Sequence, residues 1–133
     1  MTISQIRSTK MQKILAFAAA LLVVSLYSSM TQAVDAGTKE VFNFYCAQCH
    51  GTGGKGDGPN VTDDFPVNPR NFTKKDEMNK LTDADIKNVI LKGGPVASKS
   101  PMMPPWGKTL SNEEIDSLVL YVRELCQCKG KQE

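Results

Sequence analysis

The run Cys46-Ala47-Gln48-Cys49-His50 constrains this chain more than any other feature. Two thiols three positions apart lie on one face of a helix. C-x-x-C followed directly by His is the attachment pattern of c-type haem: two sulfurs for the vinyl groups along one porphyrin edge, and an imidazole able to turn toward the iron. The same thiols admit two other readings. A thioredoxin-like redox pair requires a βαβ context, which the flanking sequence lacks. A zinc site requires all four cysteines, Cys46, Cys49, Cys126 and Cys128, or three of them with His50. His50 is the only histidine, which excludes two-His zinc fingers and HExxH proteases.

The N-terminal segment bears on the state of those thiols. Arg7, Lys10 and Lys13 precede an apolar run from Ile14 to Tyr27, followed by small and polar residues, with candidate cleavage points after Ala33 or Ala36. This order is that of a secretory signal over residues 1–33. The 14-residue run falls short of the roughly 20 needed to span a bilayer. An uncleaved amphiphilic anchor is the competing reading. Export places the thiols in an oxidising, periplasmic-type compartment, where free cysteines need a reason to persist.

Residues 1–33 hold three of the 16 basic residues and none of the 14 acidic ones, so the remaining 100 residues carry a net charge of −1. The formal +2 of the whole chain is a property of its leader. Neither value suits a nucleic-acid binder. With 41% hydrophobic and 23% charged residues the composition is that of one folded soluble domain.

Periodicity predicts three helices and no strand. The first covers 37–49, with Val41, Phe42, Phe44 and Tyr45 crowding one side. The second covers 82–92, with Thr82 as N-cap, Asp83 and Asp85 in its first turn, an Ile86, Val89, Ile90 stripe, and Gly93-Gly94 at its end. The third covers 112–125, opened by a Ser111/Glu114 capping box and striped by Ile115, Leu118, Val119, Val122 and Leu125. These stripes read as core packing.

Between the first two helices the chain reads as loop. Five of residues 51–58 are Gly. A phosphate-loop reading fails, because Lys55 is followed by Gly56 and no strand precedes it. The glycines instead suit tight turns and close approach to a flat haem. Pro59, Pro66 and Pro69 keep the rest of the loop extended and stiff. Arg70 is either a partner for a haem propionate or a solvated surface residue. Asn60-Val61-Thr62 and Asn71-Phe72-Thr73 match the glycosylation pattern, which is weak evidence alone.

With one histidine, bis-His ligation within the chain is excluded. Met, Lys, a free Cys, Tyr or water remain for the sixth position. Ser100-Pro101-Met102-Met103-Pro104-Pro105-Trp106-Gly107 is a proline-braced loop between the second and third helices. Met103 is favoured over Met102 because Pro104, with its fixed φ, follows it directly. Met78 is a more distant alternative. Core filling is the ordinary role for a methionine. A thioether opposite an imidazole raises the haem potential. Trp106 is expected near the haem, its N–H available to a propionate.

These motifs resemble those of small mono-haem class I cytochromes c. The chain is similar to the branch with CHG-x-x-G-x-GDGP, found in bacterial soluble cytochromes and in cytochrome subunits or domains of respiratory complexes. Here that reads Cys49-His50-Gly51, Gly54 and Gly56-Asp57-Gly58-Pro59. Met103-Pro104-Pro105-Trp106-Gly107 matches the family's axial-Met motif, and residues 110–125 match its terminal helix. The resemblance covers 37–125 and implies an all-α cytochrome c fold, three main helices and loops around one covalent haem. First and last helices would cross beside it, with Tyr121 against the first. It further implies that the Pro59 carbonyl accepts a hydrogen bond from the His50 ring, orienting it and raising its basicity.

The tail, 126–133, departs from the pattern with Cys126-Gln127-Cys128. A local disulfide, pairing with another chain, or free or metal-bound thiols are the alternatives. A cysteine axial ligand is disfavoured, since the last helix should hold these residues away from the iron. The expected activity is one-electron transport rather than enzymic catalysis. Haem c would be bound through Cys46 and Cys49 and ligated by His50 and Met103. Redox proteins would dock transiently at an exposed haem edge, without nucleic acid and without a membrane span after cleavage. The alternatives are a subunit of a larger redox complex, or an open-site haem enzyme or gas binder if no Met is bound.

Overall fold

Asp35 starts the first helix: its carboxylate accepts the Thr38 backbone N–H at 2.7 Å. The computed structural model describes residues 34–131, so the expected export signal lies outside the described residues. Helix α1, Ala36–Val41, runs into a π-helical turn, Phe42–Cys46, closed by the Ala47 N–H on the Phe42 carbonyl, and then into α2, Ala47–His50. The expected first helix is thus one rod with a widened turn just before the haem motif. Phe42 is buried, with Val41 and Tyr45 packed beside it, whereas Phe44 is 71% exposed. Phe44 was expected among the packed residues. At about 100° per residue it lies on the far side of the rod from Phe42.

Helix α3, Lys75–Met78, is a single turn inside the stretch read as loop, too short to show a periodicity. It delivers Met78 into the core, where the side chain is fully buried. Helix α4, Asp83–Lys92, begins at a Thr82/Asp85 capping box and ends at Gly93, whose φ is +86°. A 3-10 turn, Gly94–Ala97, follows it and carries no signal in the sequence pattern. Helix α5, Asn112–Cys126, opens with the expected Ser111/Glu114 box. There is no strand among the described residues. No helix among them is long and apolar enough to cross a membrane.

The core is mainly the inward face of α5, Ile115, Leu118, Val119, Tyr121 and Val122, against Phe42 on one side and Ile86 and Ile90 of α4 on the other. Phe42 and Tyr121 meet edge to face at 4.9 Å, which joins the first and last helices as the resemblance implied. Cys126 and Cys128 are bonded to each other and buried.

Candidate haem-binding site

A helix leaves its last four carbonyls without intrahelical partners. In α2 these belong to Ala47, Gln48, Cys49 and His50, the haem motif itself. The glycine-rich loop supplies all four donors: Gly51 N–H to Ala47, Asn60 to Gln48, Gly58 to Cys49 and Gly56 to His50, at 2.8–3.1 Å. The approach is close enough that a Cβ on Gly58 would lie 2.4 Å from the Gln48 oxygen. The glycines make the expected tight turns, and what they approach is the C-terminal end of the haem-motif helix.

Cys46 and Cys49 are both free and partly buried. Burial, with Cys49 beside it, pushes the Cys46 thiol up to about 12, so it is held as a neutral thiol. Burial lowers the His50 pKa and keeps the imidazole neutral, the form that binds metal. His50 Nδ1 lies 3.3 Å from the Arg70 carbonyl. The carbonyl can only accept, so Nδ1 donates and Nε2 carries the free lone pair. The Phe72 ring stacks on the imidazole at 4.5 Å and 17°.

The partner of the His50 ring is therefore the Arg70 carbonyl and not that of Pro59. Pro59 is exposed, between Gly58 and Asn60, whose N–H groups are occupied by the α2 carbonyls. Gly56, with φ +81°, lets the Pro69 carbonyl come within 2.5 Å of where a Cβ would stand, and this brings the Pro69-Arg70 backbone alongside. Phe72 and the Arg70 main chain were not singled out as ring-orienting groups. The only sequence signal was an aromatic just beyond Pro69-Arg70. The Arg70 side chain is partly buried and has no hydrogen bond or ion pair among the described residues.

Of the two adjacent methionines, Met102 is 54% exposed, while Met103 is partly buried and packs against the core. The loop hangs on the C-terminal end of α4. Gly94 N–H donates to the Met103 carbonyl at 3.0 Å, Trp106 N–H to Ile90 at 2.9 Å and Gly107 N–H to Leu91 at 3.1 Å. Trp106 packs edge to face on Tyr45 at 5.1 Å. Since Tyr45 precedes Cys46, this contact brings the methionine loop to the haem-motif helix. Met78 sits under the Arg123 side chain, which donates to its carbonyl.

The donor set fits haem c: two unoxidised thiols one turn apart, a neutral imidazole with a defined tautomer, and a soft thioether in a loop held to the same helix. Among the described residues no group of three or more His, Cys, Asp and Glu side chains could hold a metal ion. Cys126 and Cys128 are spent on each other, which removes the zinc reading. A helical fold, without strands among the described residues, around this motif defines a small c-type cytochrome.

A family model described as cytochrome C oxidase, cbb3-type, subunit III, matches residues 32–122, and the chain belongs to this family of c-type cytochrome domains. Among solved structures it is similar to the KustC0563 c-type cytochrome, with 26% identity, a TM-score of 0.53, and coverage of 66% of this chain and 95% of that one. No curated protein matches the chain. Haem-based electron transfer is the activity this family implies.

Proposed function

We propose that the protein is an exported one-electron carrier with a single haem c bound through Cys46 and Cys49 and axially ligated by His50 and Met103. The observation that carries this reading is the Tyr45–Trp106 contact together with the inward packing of Met103, which ties the thioether loop to the haem-motif helix. Bound haem supplies a reversible one-electron iron couple. The chain's part is to keep the iron environment constant between the two states. The Arg70 carbonyl and Phe72 hold the imidazole, and three backbone hydrogen bonds to α4 and its Gly94 end hold the methionine loop. With both axial positions filled by side chains, no coordination site is left for a substrate. Arg70 and the Trp106 N–H are the groups available to the propionates.

Export fits the free state of Cys46 and Cys49, which haem attachment protects in an oxidising compartment. Processing after Ala33 keeps the Asp35 cap of α1, whereas processing after Ala36 removes it. The cytochrome domain is then residues 37–125, and the tail folds back onto it through Gly130 and Lys131. Redox partners dock transiently at the exposed haem edge. Reductive titration of the purified holoprotein is expected to show a single one-electron wave and no carbon monoxide binding by the ferrous form. Rapid carbon monoxide binding would instead establish an open-site haem protein.

A further inference from the structure

Arg123, on α5, is the only buried charged side chain among the described residues, and none of its partners is explained by the haem site. Its Nε donates to Asp83 at 2.7 Å, Nη2 to the Leu81 carbonyl at 2.7 Å, and Nη1 to the Met78 carbonyl at 2.9 Å and to Cys128 Sγ at 3.6 Å. Two of the four, Asp83 and the Leu81 carbonyl, lie at the N-terminal entrance of α4, and the Met78 carbonyl ends α3 just before it. The fourth belongs to the tail, which the Cys126–Cys128 disulfide turns back over the same place. There Gly130 N–H meets Asn79 Oδ1 at 3.1 Å and Lys131 N–H meets the Leu81 carbonyl at 3.0 Å. A Cβ on Gly130 would stand 2.1 Å from Arg123 Nη2, so the tail presses directly on the guanidinium.

The opposite end of α4 carries the methionine loop through Ile90, Leu91 and Gly94. Between the two ends lies an uninterrupted helix about 15 Å long, seated on α5 by Ile86 and Ile90. Such a helix moves as a rigid piece, so its position at the Met103 end depends on how it is pinned at the Arg123 end. We propose that Arg123, held by the disulfide-clipped tail, is a positioning residue for Met103: it sets the placement of α4 and through it the thioether's reach to the iron. This role rests on the proposed His50/Met103 ligation.

The test uses holoprotein carrying Arg123→Gln, Arg123→Lys, Asp83→Asn or Gly130→Ala, studied without denaturant where circular dichroism shows the fold intact. The charge-transfer band from Met to ferric iron, carbon monoxide binding by the ferrous form, and amide exchange at Trp106 and Gly107 are read together. The fraction of molecules with the methionine off is expected to rise on the order of tenfold in Arg123→Gln. Arg123→Lys should restore part of the band, and exchange at Trp106 and Gly107 should rise above that of the α5 core. Should Arg123→Gln fail to fold, Asp83→Asn and Gly130→Ala carry the same expectation, since each disturbs the guanidinium from an exposed or tail position. If the band and carbon monoxide binding stay at wild-type levels in the folded variants, while only global stability falls, Arg123 is a structural staple and the proposal is overturned. A wild-type holoprotein without the band would sink the ligation reading itself, and the positioning role with it.

Discussion

Replacing Gly58 by alanine tests whether the glycine loop is the cap of the haem-motif helix. Gly58 does not adopt a positive φ, so backbone preference contributes nothing and the effect is one of space alone. A Cβ there would stand 2.4 Å from the Gln48 oxygen, 2.5 Å from the Ala47 oxygen and 2.6 Å from the Cys49 carbonyl carbon. All three are backbone atoms of one helix and none can swing aside. The loop must withdraw, breaking the Gly58 N–H bond to Cys49 at 3.1 Å and loosening that of Asn60 to Gln48 at 2.8 Å. Overpacking costs about 1–3 kcal/mol, and each lost hydrogen bond costs about 0.5–1.5 kcal/mol. The expected loss is therefore about 2–4 kcal/mol, or on the order of 10–30 °C in the thermal midpoint of a domain this size. Gly53→Ala is the internal control, because nothing lies within 4 Å of its Cβ position. It should stay within about 0.5 kcal/mol of wild type. Thermal unfolding of the three proteins followed by circular dichroism decides. Equal midpoints for Gly58→Ala and Gly53→Ala would refute the capping argument.

Phe42→Ala should cost about 3–5 kcal/mol in denaturant unfolding, since the ring is fully buried against Tyr121. Phe44→Ala, on the exposed side, should cost under about 0.5 kcal/mol. The Cys126–Cys128 bond closes so small a loop that unfolding with and without a phosphine reductant should differ by less than about 2 kcal/mol. The Thr82 backbone N–H, and secondarily its hydroxyl, hold the Asp85 carboxyl below its usual 3.8. Its contribution to stability is thus present above that value and lost as the pH falls through the lower folded value. An acid titration of stability should be shallower for Asp85→Asn.

Local signals carried furthest in the sequence. The Thr82 and Ser111 helix starts and the end of α4 at Gly93 are set by residues within a turn of each other, and the helical stripes of α4 and α5 become the core except at Val89, which stays outside it. Tyr121 against the first helix is what the family resemblance implies, and the structure supplies Phe42 as its partner. Phe44 was misassigned because the first rod's apolar residues are too dense to reveal which face is buried. Long-range backbone pairings were not legible. Nothing in Arg70 as a residue type announces that its main-chain carbonyl orients an imidazole 20 positions away. Nothing in the sequence singles out Arg123 on the terminal helix, because three of its four partners lie 40–45 residues earlier and two of those are main-chain carbonyls. The Cys-Gln-Cys tail stayed open for the same reason. Only the fold shows both sulfurs buried and joined, with the chain beyond them returned to Asn79 and Leu81.

Electronic spectra of ferric holoprotein carrying Met103→Ala or Met102→Ala decide whether the haem is held between His50 and Met103. Wild type should show a thioether-to-iron charge-transfer band that persists in Met102→Ala and disappears in Met103→Ala, together with new carbon monoxide binding by the ferrous Met103→Ala protein. A band that survives Met103→Ala, or vanishes with Met102→Ala alone, would contradict that ligation.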